Sequence, residues 1–248
     1  RIPEGEPERT PGAKAIDIRG AAAAIRAVPG LFALILFSTF NNLVGGVYMA
    51  LMDPYGLTLF DVKVWGIVLG VTSTGFIIGG AIVAKRGLGR NPIRTMLLAV
   101  IVMGVLGAVF TIRDWWWLYV LGIWLYMSLV PIIESAEQTV IQKVVPFQTQ
   151  GRVFGAAATF EAGAAPITAF LIAPIAQFWV IPYMETDAGR GAWGWLLGEG
   201  QGRGIALVFL VSGLGMVVLA ALAFTTRSYR ILSREYTEAP AGDGDTDG

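Results

Sequence analysis

Six long apolar stretches, set apart by short polar segments, constrain this chain more than any other feature. They are read over about residues 31–52, 64–84, 93–112, 115–136, 153–182 and 204–225. A hydrocarbon core about 30 Å thick is crossed by roughly 20 helical residues at about 1.5 Å each. The expected fold class is therefore all-α: a polytopic membrane protein with six transmembrane helices, seated in a lipid bilayer. That excludes most soluble functions at once.

Composition narrows the remaining choices. The 248 residues are 55% hydrophobic and 15% charged, against about 25% charged in a soluble domain. The formal net charge is zero, so no global field recruits nucleic acid and none is expected as a partner. There is no cysteine and no histidine. Disulfides, thiolate nucleophiles, the commonest metal ligand and the commonest general base are thereby removed. No Ser/Lys or Ser/His constellation and no paired intramembrane Asp stands at plausible depth, so an enzyme is not expected. Neither is a cofactor or a metal site. The first twenty residues are polar and match no signal peptide. Opening on Arg1, the chain reads as a fragment of a longer one.

Charge is sorted by segment. With the N-terminus inside, the inner segments hold Arg1, Arg9, Lys14, Arg19, Arg26, Lys85, Arg86, Arg90, Arg94, Lys143, Arg152, Arg227, Arg230 and Arg234, and the outer loops only Lys63, Arg113, Arg190 and Arg203. The positive-inside rule then puts both termini in the cytoplasm; the plasma membrane is the expected location. Trp65, Trp115, Trp116, Trp117, Trp179, Trp193 and Trp195 fall near outer boundaries, as an aromatic belt requires. Residues 1–14 read as a flexible linker, 15–29 as an interfacial amphipathic helix, and 30–226 as the membrane domain. Residues 227–248 read as a cytoplasmic tail with a disordered end. Asp53-Pro54 reads as a turn closing the outer end of the first span. Gly66/Gly70 and Gly75/Gly79 form two small-xxx-small pairs that favour close helix packing.

The segment Lys143–Ala156 (KVVPFQTQGRVFGA) carries a resemblance. It is similar to the inner loop between the tenth and eleventh helices of major facilitator superfamily exporters, nearest the macrolide, siderophore and multidrug branch. DIRGAAAAIRAVPGL (Asp17–Leu31), FSTFNNLVGGVYMALM (Phe37–Met52) and FEAGAAPITAFLIAPIAQ (Phe160–Gln177) resemble the end of that family's central linker, its seventh helix and its eleventh helix. The resemblance implies the C-terminal half of a twelve-helix bundle, whose partner is an N-terminal six-helix half outside this chain. It also implies secondary active transport of an amphipathic small molecule, coupled to protons. Gly80–Arg90 (GAIVAKRGLGR) echoes the family's inner-loop signature, keeping Lys85, Arg86 and Arg90 but with Ala84 nearest the place of its Asp. The family's Asp-based gating pair therefore does not carry over to this loop, and the three basic residues are left as gating or anchoring groups.

Ionisable residues at membrane depth cost roughly 2.5–3.5 kcal/mol each on insertion scales and need a partner or a cavity. Glu161 lies inside the fifth span on a stripe of small residues, Ala157, Ala158, Ala164, Ala165 and Thr168. It is either a proton-coupling site or counter-charge for a cation, or a carboxylic acid bonded to a neighbouring helix. Glu134, followed by Glu137, Gln138 and Gln142, either lines an inner vestibule and joins the coupling or forms the water-facing end of a long helix. Ser38, Asn41, Asn42 and Thr168 are candidates for the substrate cavity, the two amides alternatively serving as helix–helix glue. Arg152 reads as a loop anchor, partnering helix C-terminal carbonyls or an inner carboxylate. An importer of the same superfamily, or a non-transporting membrane scaffold, stays open beside the exporter.

Overall fold

The computed structural model describes residues 23, 25–200 and 202–238. The expected linker over 1–14, most of the interfacial helix over 15–29 and the end of the tail over 239–248 lie outside the described residues. Among the described residues every regular element is helical. Six helices are long and apolar enough to cross a membrane. They are α1 (Leu31–Leu59), α2 (Val62–Arg86), α3 (Pro92–Val109), α4 (Trp116–Val144), α5 (Phe147–Ile175) and, after α6 and α7, α8 (Arg203–Thr225). The fifth crossing continues from α5 through a π-helical turn at Ala176–Val180 into the short α6 (Ile181–Glu185). The segment that follows is helical in part, as α7 (Asp187–Leu197), and α9 (Arg227–Glu238) ends the described chain.

Local chemistry sets the starts. The Asp61 carboxylate accepts from the backbone N–H groups of Lys63 and Val64 at 2.9 and 3.0 Å, opening α2. The Asn91 side chain accepts from Arg94 N–H at 3.1 Å, with Pro92 in the first turn of α3. Both use side-chain oxygens to satisfy orphan amides.

Two expectations change, and a third feature adds to the reading. First, α1 does not turn at Asp53-Pro54 but runs on to Leu59. Pro54 removes one backbone bond, yet the neighbouring turn is held from outside. The Trp65 indole N–H donates to Asp53 Oδ1 at 2.9 Å, the Tyr119 hydroxyl donates to the Met52 carbonyl at 2.7 Å, and Tyr55 is buried. Second, Trp65 is for the same reason buried in the bundle rather than placed in the belt, whereas Trp115, Trp116, Trp117, Trp179 and Trp195 are exposed. Third, residues 227–238 form a helix. Its Leu232 is buried, Phe224 packs edge-on against Tyr229, and Lys143 Nζ lies 4.3 Å from the Tyr236 ring. Ser233 accepts from the Asn91 amide. The inner-facing side of α9 is thereby strapped across the ends of α1, α3, α4 and α8.

In the bundle α2 packs on α4, α3 on α4 and α8, and α1 on α5 and α8. Of the two glycine pairs on α2, only Gly75/Gly79 makes a close approach. A Cβ at Gly79 would overlap the Ser128 carbonyl of α4, and one at Gly75 the Trp124 carbonyl. Gly66 and Gly70 have open space instead. The sequence spacing was equal; the position of α4 decides which pair is used.

Towards the end of the bundle that carries α7, Tyr48, Tyr55, Phe110, Tyr119 and Phe209 form one aromatic cluster with Trp65. Beside it sits Arg203, only 2% exposed. Its guanidinium donates to the Leu197 carbonyl at 2.6 Å, the Thr111 carbonyl at 3.3 Å and the Tyr55 hydroxyl at 2.8 Å, and pairs with Asp114. Arg203 thus ties α1, the α3–α4 turn and the end of α7 to the start of α8. Arg113 adds a second clamp by donating to the Trp195 carbonyl at 2.8 Å.

Two outcomes follow for stability. Gly79→Ala should destabilise the purified protein by about 1–3 kcal/mol through overpacking, while Gly70→Ala leaves thermal unfolding unchanged; equal melting of the two variants would contradict the packing described. Arg203→Met strands two carbonyls and a hydroxyl and should cost about 2 kcal/mol or more. Arg203→Lys should restore only part of the loss in the same melting assay, because an ammonium lacks the planar fork.

Candidate functional site

α1, α4 and α5, with Phe76 of α2 and Met103 of α3, line a half-open cavity of about 640 Å³. α1 contributes Asn41, Asn42, Gly45 and Met49, a stripe that repeats at helical spacing. From α4 come Tyr126, Met127, Val130, Ile133, Glu134, Glu137 and Gln138, and from α5 Phe154, Ala157, Ala158 and Glu161. The small residues Ala157 and Ala158 leave the space, as the sequence stripe around Glu161 implies. Asn41, Asn42, Glu134 and Glu161, four candidates read separately from three helices, are brought onto one wall system.

Ser38 and Thr168 are placed otherwise. Ser38 is 3% exposed and stands behind the lining, beside the Glu137 carboxyl. Thr168 is half-buried, two turns along α5 from Glu161, and is not among the lining residues. Lys85 and Arg86 are exposed in the last turn of α2, Arg90 is exposed in the following turn, and Arg152 is exposed near the start of α5. None of these four lines the cavity. The carbonyls at the end of α4 accept from Gln150, whose Nε2 donates to Gln142 at 2.7 Å and to Val145 at 3.0 Å.

The residue that the sequence reading placed too far out is Glu137. It is only 8% exposed, the most enclosed carboxyl of the cavity, whereas Glu134 one turn outward is exposed. The signal was available: Ile133, Val140 and Ile141, at i−4, i+3 and i+4, are all apolar and all buried, so Glu137 shares the core-facing stripe of α4. The Glu137 carboxyl has the Ser38 hydroxyl and the Glu161 carboxyl as its polar neighbours. Three buried acceptors around the cavity have no hydrogen-bond partner: Asn41 Oδ1, Glu137 Oε1 and Glu161 Oε1. No Lys or Arg is among the lining residues. The arrangement is an oxygen-rich pocket whose acceptors outnumber its donors, and it can take a proton, a cation or a hydrogen-bond donor.

Replacing an unpartnered buried polar group by an apolar one of similar size is neutral or stabilising. Glu137→Met is accordingly expected to melt at or above the parent temperature. A fall of several degrees would mean that the carboxyl is held by partners and contributes to the fold.

Comparison with known proteins bears on what such a cavity is for. No curated protein and no solved structure is significantly similar to the chain. The family model described as Major Facilitator Superfamily matches residues 1–169, more than half of the sequence. That match, together with the six crossing helices, shows that the chain belongs to the Major Facilitator Superfamily of membrane transporters.

Proposed function

We propose that this chain is the C-terminal six-helix half of a secondary active exporter that moves amphipathic small molecules, such as drugs or siderophores, against a proton gradient. The observation that carries the reading is the Glu137–Glu161 pair, with its unpartnered oxygens, in the wall of a 640 Å³ cavity. A charged pair in such a place is costly unless something compensates it. A proton on either carboxyl removes one of two facing charges and supplies an O–H donor. Exposed Glu134, one turn away on α4, gives that proton a route towards water. Substrate would lie against Asn41, Asn42 and the apolar wall of Met49, Tyr126 and Phe154.

The partner half is supported by the apolar surfaces left on α2 and α5. Ile67, Ile77, Ile167 and Phe170 are each more than half exposed. Phe76 of α2 and Phe154 of α5 line the cavity, so the covering surface and the cavity adjoin. A second six-helix unit on these faces would complete the path, and rocking of the two halves about it would alternate access. Lys85, Arg86, Arg90 and Arg152 would serve at the inner mouth, as anchors or gates, with both termini in the cytoplasm and the protein in the plasma membrane. The basic residues at the inner ends support this orientation.

The test is to express the whole gene that encodes this chain in an efflux-deficient host and follow accumulation of a drug and siderophore panel. Accumulation should fall on expression and recover with an uncoupler. Glu161→Gln and Glu137→Gln should each abolish gradient-driven export yet retain substrate exchange at equal concentrations. Unchanged accumulation across the panel overturns the exporter reading, and full uphill export by Glu161→Gln removes that residue from coupling.

A further inference from the structure

Two neighbouring helices carry apolar stripes that belong neither to the cavity nor to the exposed faces of α2 and α5. On α3, Leu98, Val102 and Val105 are exposed at helical spacing, and on α8 so are Leu214, Val218 and Leu222. The two helices pack on each other. A Cβ at Gly104 would overlap the Gly213 carbonyl, and one at Gly213 the Gly104 carbonyl, so their backbones touch. Hydrocarbon covers such stripes in a membrane. One turn before Leu98, on the same face of α3, stands exposed Arg94. The α8 stripe ends at Leu222, shortly before α9 begins at Arg227. Asn91 joins these two ends. Its Oδ1 accepts from Arg94 N–H at 3.1 Å, and its Nδ2 donates to the Ser233 hydroxyl of α9. Arg90 directly precedes Asn91, Arg230 lies one turn before Ser233, and Arg227 one turn before that. These four arginines are exposed, while Leu232 holds α9 against the bundle. Among the described residues none of the four pairs with a carboxylate.

We propose that the α3–α8 face, with Arg90, Arg94, Arg227 and Arg230 at its α9 end, is a binding site for one anionic phospholipid. Its acyl chains lie along the two apolar stripes and its phosphodiester meets the arginines. A guanidinium fork donates to two phosphate oxygens at once, which suits this role better than a point charge. The arginines come from three segments: the α2–α3 turn, the first turn of α3, and α9. The Asn91–Ser233 bond fixes α9 to α3 before any lipid arrives, so little ordering is left to the binding step. Charge sets the selectivity. A zwitterionic headgroup brings an ammonium of its own to a place already rich in positive charge, whereas an anionic headgroup does not. The inference needs only that the chain crosses a membrane, and it is independent of what the cavity carries.

The protein from the whole gene, purified in a neutral detergent, is titrated with dioleoyl phosphatidylglycerol or with dioleoyl phosphatidylcholine. Thermal unfolding is followed, and native mass spectrometry counts the lipid retained. Phosphatidylglycerol should raise the melting temperature along a saturable curve, as a ligand of the folded state does. Its midpoint should lie about tenfold below that of phosphatidylcholine. Arg94→Gln combined with Arg230→Gln should raise the midpoint by about tenfold or more and remove a retained lipid. The lipid-free melting temperature should stay at the parent value, because both side chains are exposed. Ser233→Ala removes no charge, yet it should raise the midpoint too, since the Asn91 bridge positions the arginines of α9. Lys85→Gln combined with Arg86→Gln removes as much charge from the end of α2 and should leave the curve in place. Equal curves for the two lipids, or an intact curve in Arg94→Gln/Arg230→Gln, overturns the site. Equal weakening by the two double variants overturns it in favour of diffuse attraction. Equal stabilisation by glycerol phosphate at the same concentrations overturns the lipid in favour of a free phosphate.

Discussion

The want of water around the spanning helices governs the rest of this structure. A polar group inside such a bundle has to find its partner within the protein or leave the cost unpaid by any neighbour. The chain answers this demand in two opposite ways. Where α7 meets α8, Arg203 is surrounded by acceptors, with only its Nε left without a partner: the carbonyls of Leu197 and Thr111, the Tyr55 hydroxyl and the Asp114 carboxylate. In the cavity Asn41, Glu137 and Glu161 each keep an oxygen without a donor. The first arrangement fixes a fold. The second leaves acceptors without donors in the wall of the cavity that we propose as the transport site.

This contrast organises the bundle along its length. The half of the bundle next to α7 is closed by the aromatic cluster around Tyr48, Tyr119 and Phe209 and by the two arginine clamps on α7. Towards the opposite half, Ala157 and Ala158 stand where larger side chains would fill the space, and the cavity begins. Close packing of α2 on α4 at Gly75 and Gly79 lets their backbones approach and brings Phe76 to the cavity edge. Tight contacts and open volume are thus made by neighbouring residues on the same helices.

Much of this was legible from residue order. The six spans, their alternation and the depth of Glu161, Asn41 and Asn42 follow from apolar length and helical periodicity, which are local. Other features were not. Gly66/Gly70 and Gly75/Gly79 have the same spacing, and only the position of α4 distinguishes them. Arg203 reads as an ordinary loop charge, since its partners Tyr55, Thr111 and Asp114 are far away in sequence. Asp53-Pro54 reads as a turn because its bracing by Trp65 and Tyr119 comes from other helices. Glu137 lies between these cases, because its apolar neighbours at i−4, i+3 and i+4 signalled burial and its proximity to Glu134 drew the reading outward.

Sequence alone determined that this chain crosses a membrane six times and that a few polar residues lie at depth. Hydrophobic length and helical period are properties of contiguous residues, and they need no knowledge of neighbours. Tertiary structure alone decided which of those polar residues are satisfied. Partnership depends on which helix faces which, and that is set by packing between segments remote in the chain. The pairing of Glu137 with Glu161 across α4 and α5, and with Ser38 across to α1, exists only once the helices are assembled.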